Sequence, residues 1–377
     1  MTTVFVPKES RAGETRVAVS PETAKRLVQA KLEVVIEPGA GAAAGFADAA
    51  LAGAGARTGT AWEADLVLKV QPPSTAEAAR LRSGTLLVAF LNPARELALV
   101  AELRQRHVTS LAMELVPRIS RAQSMDALSS QATVAGYKAV LLGATHLKKM
   151  CPLLMTAAGT VPPAKVVVFG AGVAGLMAIA TARRLGCKVE ATDVRLAAKE
   201  QVESLGASFI TAPGASDMEG AGGYAKEQSA EFLQRQREEV AKRVAEADLV
   251  ITTAQVPGKK APVLVSAPMV RSMKPGAVIV DLAVESGGNC ELSEPGLVVE
   301  REGVTLVGLA NLPATVPQHA SELYAKNVLA LVKLFADKDG RLAPDWNDEI
   351  LAGARLTHAG EITHAPTAQA LLAGAKP

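Results

Sequence analysis

Residues 166–195 read VVVFGAGVAGLMAIATARRLGCKVEATDVR. An apolar run ends in Gly-x-Gly-x-x-Gly, an amphipathic helical stretch follows, and a second strand-like run closes on an acid. Strand, tight turn, helix and strand in this order require parallel strands joined by a crossover, which commits the chain to an α/β layer fold. Each part of the turn has its own task. Gly170 makes the tight turn off the strand, Gly172 lets the backbone approach a phosphate at the helix N-terminus, and Gly175 lets the helix pack closely on the sheet. Ala171 and Val173 complete the loop. Asp193 falls near the spacing of about 20 residues at which a carboxylate accepts hydrogen bonds from an adenosine ribose. The unit therefore reads as a dinucleotide site, with Val194 and Arg195 beside the acid. The carboxylate favours NAD over NADP because it repels a 2′-phosphate, while Arg195 works in the opposite sense.

A length of 377 residues predicts two domains, and 49% hydrophobic residues suffice for two cores. The net charge of +2 is spread over interspersed Lys, Arg, Asp and Glu, which argues against a nucleic-acid partner. Cys151, Cys187 and Cys290 lack CxxC spacing and read as small hydrophobes in a reducing compartment. The first residues, MTTVFVPKESRAGE, carry no basic segment leading into a long apolar core, and no run of 18 apolar residues occurs. The chain itself is not expected to enter a membrane.

Short β-rich runs alternate with helical patterns along the first third: VFVPKE, 21–30, LEVVIEP, ADLVLKV, TLLVAFL, 95–106 and VTSLAMEL. From Lys165 the alternation restarts with KVVVFG, KVEATD, ASFITA, DLVITTA, AVIVDLA and VTLVGLA. The expected fold is two Rossmann-like, doubly wound parallel-sheet domains joined by long helices. The first comprises 1–125 with 320–377, residues 126–147 form a connecting helix, and 148–319 form the dinucleotide domain. A second long helix is expected over 321–335, and the cleft between domains is the expected ligand site.

Four stretches resemble the NAD-binding first domain of proton-translocating nicotinamide nucleotide transhydrogenase: GETRVAVSPETAKRL, PRISRAQSMDALSSQATVAGYKAV, the dinucleotide unit, and TTAQVPGKKAPVLV. The likeness extends over nearly the whole chain and is strongest to the separately encoded subunit of bacteria. In that family a loop carrying Arg, Gln and Asp borders the nicotinamide. The matching residues are Arg118, Gln123 and Asp126, with Ser129 beyond, and from composition alone Asp126 also reads as a helix cap. The resemblance further implies cofactor contacts from Ala254, Gln255 and Val256. It implies direct hydride transfer from NADH on this chain to NADP on the partner β subunit's domain III. A membrane-spanning domain II would couple that transfer to proton movement. A homodimer and a cytoplasmic place, peripheral to the inner membrane through the partners, follow from the same likeness. Residues 213–228 resemble the family's mobile loop, which places Tyr224 over bound nucleotide.

Alanine dehydrogenase resembles the same stretches and is the competing reading. Its carboxylate-binding Arg and Lys match Arg16 and Lys69, but its catalytic His is replaced by Asn92, and its pocket Asp by Glu285. Asn92 cannot cycle a proton near neutral pH, so Arg16 and Lys69 read as a buried scaffold. A silent NAD-sensing module is the third reading. His107, His146, His319, His358 and His364 show no metal-ligand spacing, and no metal site is expected. The run EFLQRQREEVAKRVAEAD, with opposite charges three and four apart, reads as a solvated helix face.

Overall fold

The computed structural model describes residues 2–211, 230–255 and 260–374. The chain divides into two compact units, Met1–Gln131 with Pro313–Pro377, and Ala132–Leu312. Along the first unit run β1 (Thr3–Val6), α1 (Pro21–Gln29), β2 (Glu33–Ile36), α2 (Asp48–Gly53), β3 (Arg57–Thr58), β4 (Leu66–Leu68), α3 (Thr75–Ala78), β5 (Leu86–Ala89), α4 (Leu97–Gln105) and β6 (Thr109–Ala112). Helix α5 (Ala127–His146) carries the chain across the division. The second unit continues with a hairpin, β7 (Leu154–Thr156) and β8 (Gly159–Val161), then β9 (Lys165–Phe169), α6 (Val173–Arg184), β10 (Lys188–Thr192), α7 (Ala198–Ser204), β11 (Ser208–Phe209), α8 (Ala230–Glu246), β12 (Leu249–Thr252), α9 (Ala267–Ser272), β13 (Val278–Asp281), β14 (Val298–Arg301) and β15 (Val304–Val307). The chain returns to the first unit through α10 (Pro317–Val332), α11 (Glu349–Ala354), β16 (Arg355–His358), β17 (Glu361–Ile362) and α12 (Ala365–Gly374).

The first sheet has the order β17-β16-β6-β5-β4-β1-β2-β3, and the second β11-β10-β9-β12-β13-β15-β14. The parallel part of each reads 3-2-1-4-5-6, the doubly wound order that opens a crevice where the winding reverses. In the second unit that reversal lies between β9 and β12, which pair in parallel from Leu249 opposite Val166 to Thr252 opposite Phe169. The exceptions to parallel pairing are at the edges: β14 against β15, and β16 against β6 and β17. The edge pairs are short and mostly polar, so no apolar pattern in the sequence marks them.

Strands buried on both faces explain the unbroken β-branched runs. In β1, Val4 and Val6 pack into one cluster and Phe5 into another. In β9, Val166 and Val168 face one core while Val167 and Phe169 face the other. Helix α1 starts where Ser20 and Thr23 form a reciprocal capping box and Pro21 takes the first turn. Helix α10 starts at Pro317, earlier than the expected 321, because proline is well suited to a first helical turn. Along α8, Arg243 pairs with Glu239 and Gln234 with Glu238, as the charge spacing predicts. The β7–β8 hairpin pairs only with itself and leaves Leu153 and Met155 exposed, the latter at 81%. Among the described residues no helix is long and apolar enough to cross a membrane.

Candidate functional site

The glycine turn is built by steric exclusion. Gly170 has φ +93°, and its N–H donates to the Thr192 carbonyl at 2.8 Å, tying the turn to β10. A Cβ on Gly175 would stand 1.8 Å from the Gly170 carbonyl oxygen, so α6 can lie this close only with glycine there. A Cβ on Gly172 would meet no protein atom within 4 Å. Protein packing therefore does not require that glycine, and the space beside it is open to a ligand. Gly172 is the N-cap of α6, makes no side-chain cap, and is followed by no acid in the first turn. A helix of this length with an uncapped N-terminus presents N–H donors and the positive end of its dipole to an anion.

Asp193, just past the end of β10, is held against this turn. Its carboxylate accepts the Ala171 N–H at 2.7 Å and the Arg195 backbone N–H at 2.8 Å. The Arg195 guanidinium adds two hydrogen bonds at 3.0 Å. Burial alone would raise the carboxyl's pKa, but the Arg195 side chain and the two backbone donors hold it below the usual range. Val194 between them is 89% exposed, an apolar surface beside the acid.

The third side of the crevice is the end of β12. Thr253 Oγ1 donates to the Phe169 carbonyl at 3.0 Å, linking the two strand ends. Ala254 is gripped at both its backbone groups by Asn289: the N–H donates to Asn289 Oδ1 at 3.0 Å, and Asn289 Nδ2 donates to the Ala254 carbonyl at 2.9 Å. Asn289 Nδ2 also donates to the Pro262 carbonyl at 2.8 Å. Asp281, buried at the end of β13, accepts the N–H groups of Ala283, Asn289 and Cys290, and the Thr252 hydroxyl. Sequence reading missed this pair. The available signal was a carboxylate ending the apolar strand VIVD, too polar for a β-core unless something nearby donates to it. Gln255 is exposed, with its side-chain amide on the Leu282 carbonyl at 2.6 Å. Val256 and Tyr224 lie outside the described residues.

In the first unit, Arg118, Gln123, Asp126 and Ser129 line one concavity of 290 Å³ together with Pro117, Ile119, Ser120 and Ala122. A 3₁₀ turn at Ser120–Met125 compresses the intervening chain and brings these four together. Asp126 caps α5: Oδ1 accepts the Ser129 N–H at 2.8 Å and Oδ2 the Ser129 hydroxyl at 2.6 Å. The cap leaves lone pairs on both carboxylate oxygens. Arg118 and Gln123 are exposed, and Gln123 lies on the 3₁₀ turn.

Arg16 and Lys69 are sealed. Arg16 donates to both Glu14 oxygens, at 2.8 and 2.7 Å, and to Gln131 at 2.8 Å. Lys69 is 1% exposed and pairs with Glu9 at 3.3 Å and Glu77 at 3.1 Å. The Glu9 carboxylate also accepts the Val70 N–H at 2.6 Å, and the Tyr324 hydroxyl donates to the Lys69 carbonyl at 2.8 Å. Asn92 has φ +46°, a left-handed turn that Asn adopts more readily than most residues. Its N–H and that of Leu91 donate to Glu114. Glu285 is exposed. No group of three or more His, Cys, Asp or Glu residues able to hold a metal occurs among the described residues.

Two doubly wound sheets, one carrying a glycine turn, an open helix N-terminus and a held carboxylate at its winding reversal, define a nucleotide-binding α/β protein with two Rossmann-like units. The family model for the N-terminal domain of alanine dehydrogenase/PNT matches residues 5–135, and that for the C-terminal domain of alanine dehydrogenase/PNT matches residues 139–365. The chain belongs to this family. It is 51% identical to an NAD(P) transhydrogenase subunit alpha chain of Rhodospirillum rubrum, over 96% of this chain and 97% of that one. The crystal structure of transhydrogenase from Sinorhizobium meliloti superposes with a TM-score of 0.88 at 47% identity, covering 96% of this chain and 99% of that one. An L-alanine dehydrogenase structure is similar with a TM-score of 0.84 at 30% identity, covering 99% of each chain.

Proposed function

We propose that this chain is the NAD(H)-binding subunit of a proton-translocating NAD(P) transhydrogenase. The carrying observation is that Arg118, Gln123, Asp126 and Ser129 gather around one concavity, while the groups an amino-acid dehydrogenase needs are sealed or missing. The N–H groups at the start of α6 and the space at Gly172 suit a pyrophosphate, and Asp193 suits the adenosine ribose. Val194, Ala254 and Gln255 complete the nucleotide contacts. NADH supplies a hydride to NADP+ held on the partner subunit. No proton has to move on a substrate oxygen or nitrogen, so this chain's work is orientation and exclusion of water. The Arg118 fork and the free lone pairs of Asp126 hold a carboxamide in its acceptor and donor senses, and Gln123 reaches a ribose hydroxyl. Ser129 keeps Asp126 turned toward the concavity through its hydroxyl bond.

The NADP(H)-binding β subunit and a membrane-spanning domain complete the assembly, which places this chain on the cytoplasmic face of the inner membrane. Two copies pair, and the exposed apolar side chains of the β7–β8 hairpin are a surface for that pairing. The alanine dehydrogenase reading needs Lys69 to reach a substrate, yet Lys69 is enclosed by two carboxylates. Asn92 supplies no acid–base group in place of the missing His.

The test is hydride transfer from NADH to an NADP analogue, with the purified chain alone and with a transhydrogenase NADP-binding domain added. Pyruvate plus ammonia serves as the control. Transfer only with the added domain is the expected result. Oxidation of NADH by pyruvate and ammonia alone would make the chain an alanine dehydrogenase, and silence in both would favour an NAD sensor.

A further inference from the structure

Cys151 and Cys187 are far apart in sequence but adjacent in the second unit. Their thiols share a hydrogen bond. The backbone around them is held in register: the Cys151 carbonyl accepts the Ala164 N–H at 3.0 Å, and the Ala164 carbonyl accepts the Lys188 N–H at 2.9 Å. Next to the cysteines, Gly186 touches Pro152 so closely that a Cβ there would stand 2.7 Å from the proline Cβ. Cys187 is 1% exposed and Cys151 is partly exposed, and both pack against the same apolar cluster.

We propose that these two residues form a reversible intramolecular disulfide under hydroperoxide, and that it pins the base of the β7–β8 hairpin to the sheet at the start of β10. The segment from Cys151 to Ala164 contains the whole hairpin, and its base is the Cys151–Ala164 hydrogen bond. Oxidation starts at Cys151, the more accessible thiol. Its thiolate sulfur attacks the hydroperoxide, an S–O bond forms, the O–O bond breaks, and an alcohol leaves (water from hydrogen peroxide). The Cys187 sulfur then attacks the sulfenic sulfur, the S–S bond forms, and the S–O bond breaks with loss of water. Two thiols lose two electrons and two protons in total. Burial and the neighbouring Cys151 thiol push Cys187 up to about 12, so Cys187 stays protonated until its partner is oxidised and suits the resolving role better than the attacking one. In a reducing compartment such a bond is transient, which is the condition for a sensor rather than a structural cross-link.

The experiment treats the full chain with hydrogen peroxide, blocks remaining thiols, and digests it without reductant for mass spectrometry. The expected product is a Cys151–Cys187 cross-linked peptide that dithiothreitol removes, with Cys290 recovered as the blocked thiol. Cys151→Ser and Cys187→Ser each abolish it, and Cys290→Ser does not. Hydrogen exchange at Ala164 and across the hairpin slows several-fold on oxidation, and Tm rises by roughly 5 °C. Pairing through Cys290, cross-linking between chains, or both thiols recovered free after peroxide would overturn the disulfide. A disulfide without slowed exchange at Ala164 would overturn the pinning. Mapping on the unsubstituted chain stands even if a serine variant fails to fold.

Discussion

Arg195 covers the carboxylate of Asp193, with its guanidinium bonded to both oxygens at 3.0 Å. The acid that selects against a 2′-phosphate is thus neutralised by the residue that would welcome one, and the balance between the two sets cofactor preference. Asp193→Ala removes a charged acceptor worth about 1.5–3 kcal/mol and should weaken NADH binding by roughly 10- to 100-fold. With Arg195 released, NADPH should weaken far less or gain. Arg195→Ala should sharpen the preference for NADH. Fluorescence titration with both nucleotides checks this, and equal losses for both in Asp193→Ala would refute the role.

Gln123 and Asp193 should separate chemistry from binding. Gln123→Ala should slow hydride transfer in the complete complex by about tenfold or more, as expected for lost orientation, with NADH affinity changed less than about threefold. Stopped-flow transfer rates alongside titration decide it. A loss of affinity as large as that of Asp193→Ala would place Gln123 among the binding residues.

The Glu14–Arg16 pair should mark acid stability. Burial alone would raise Glu14, but the Arg16 hydrogen bond and charge, with Gln71, outweigh it and lower the carboxyl from 4.5 to about 2. A depressed carboxyl contributes stability that is full above about 4.5 and lost as pH falls through about 2. That shift corresponds to about 3 kcal/mol. Glu14→Gln should lower Tm at pH 7 by roughly 10 °C, and the gap to the unsubstituted chain should close toward pH 2. Calorimetry across that range would show a constant gap if the pair were unimportant.

Asn289 should act on the nucleotide site through Ala254. Its amide makes hydrogen bonds at 2.8, 2.9 and 3.0 Å with two segments, and a buried polar network of this kind is costly to break. Asn289→Ala should lower Tm and weaken NADH binding several-fold, whereas Glu285→Ala, on the exposed turn nearby, should change NADH affinity little. NADH affinity unchanged in Asn289→Ala would remove it from the support of the site.

The exposed hairpin gives a direct test of pairing. Met155→Asp places a charge on a side chain that is 81% exposed, so the single chain should fold normally. The dimer should dissociate at least tenfold more readily in light scattering or sedimentation. An unaltered association constant would move the pairing surface elsewhere.

Much was legible along the chain because the relevant physics is local. Runs such as VVVF and LVIT become central parallel strands, since only burial on both faces tolerates unbroken β-branched sequence. The glycine turn announces itself because Gly170 needs positive φ and Gly175 a missing Cβ, and both constraints act within a few residues. Edge strands β16, β17 and β14 did not announce themselves. They are short, polar and antiparallel, and they exist only because a neighbouring strand offers unpaired donors and acceptors.

The layer architecture, the dinucleotide turn, the acid that follows it and the loop that caps α5 were all written in the chain, since each depends on conformational preferences of adjacent residues. Which polar groups answer one another was settled by folding alone. Glu14 meets Gln131 through Arg16, Asn289 meets Ala254, Lys69 lies between Glu9 and Glu77, and Cys151 meets Cys187. Burying a charge or an amide costs several kcal/mol unless a partner is present. Partners from distant segments are brought together only when the sheets close, so pairings of this kind have no signature at fixed spacing.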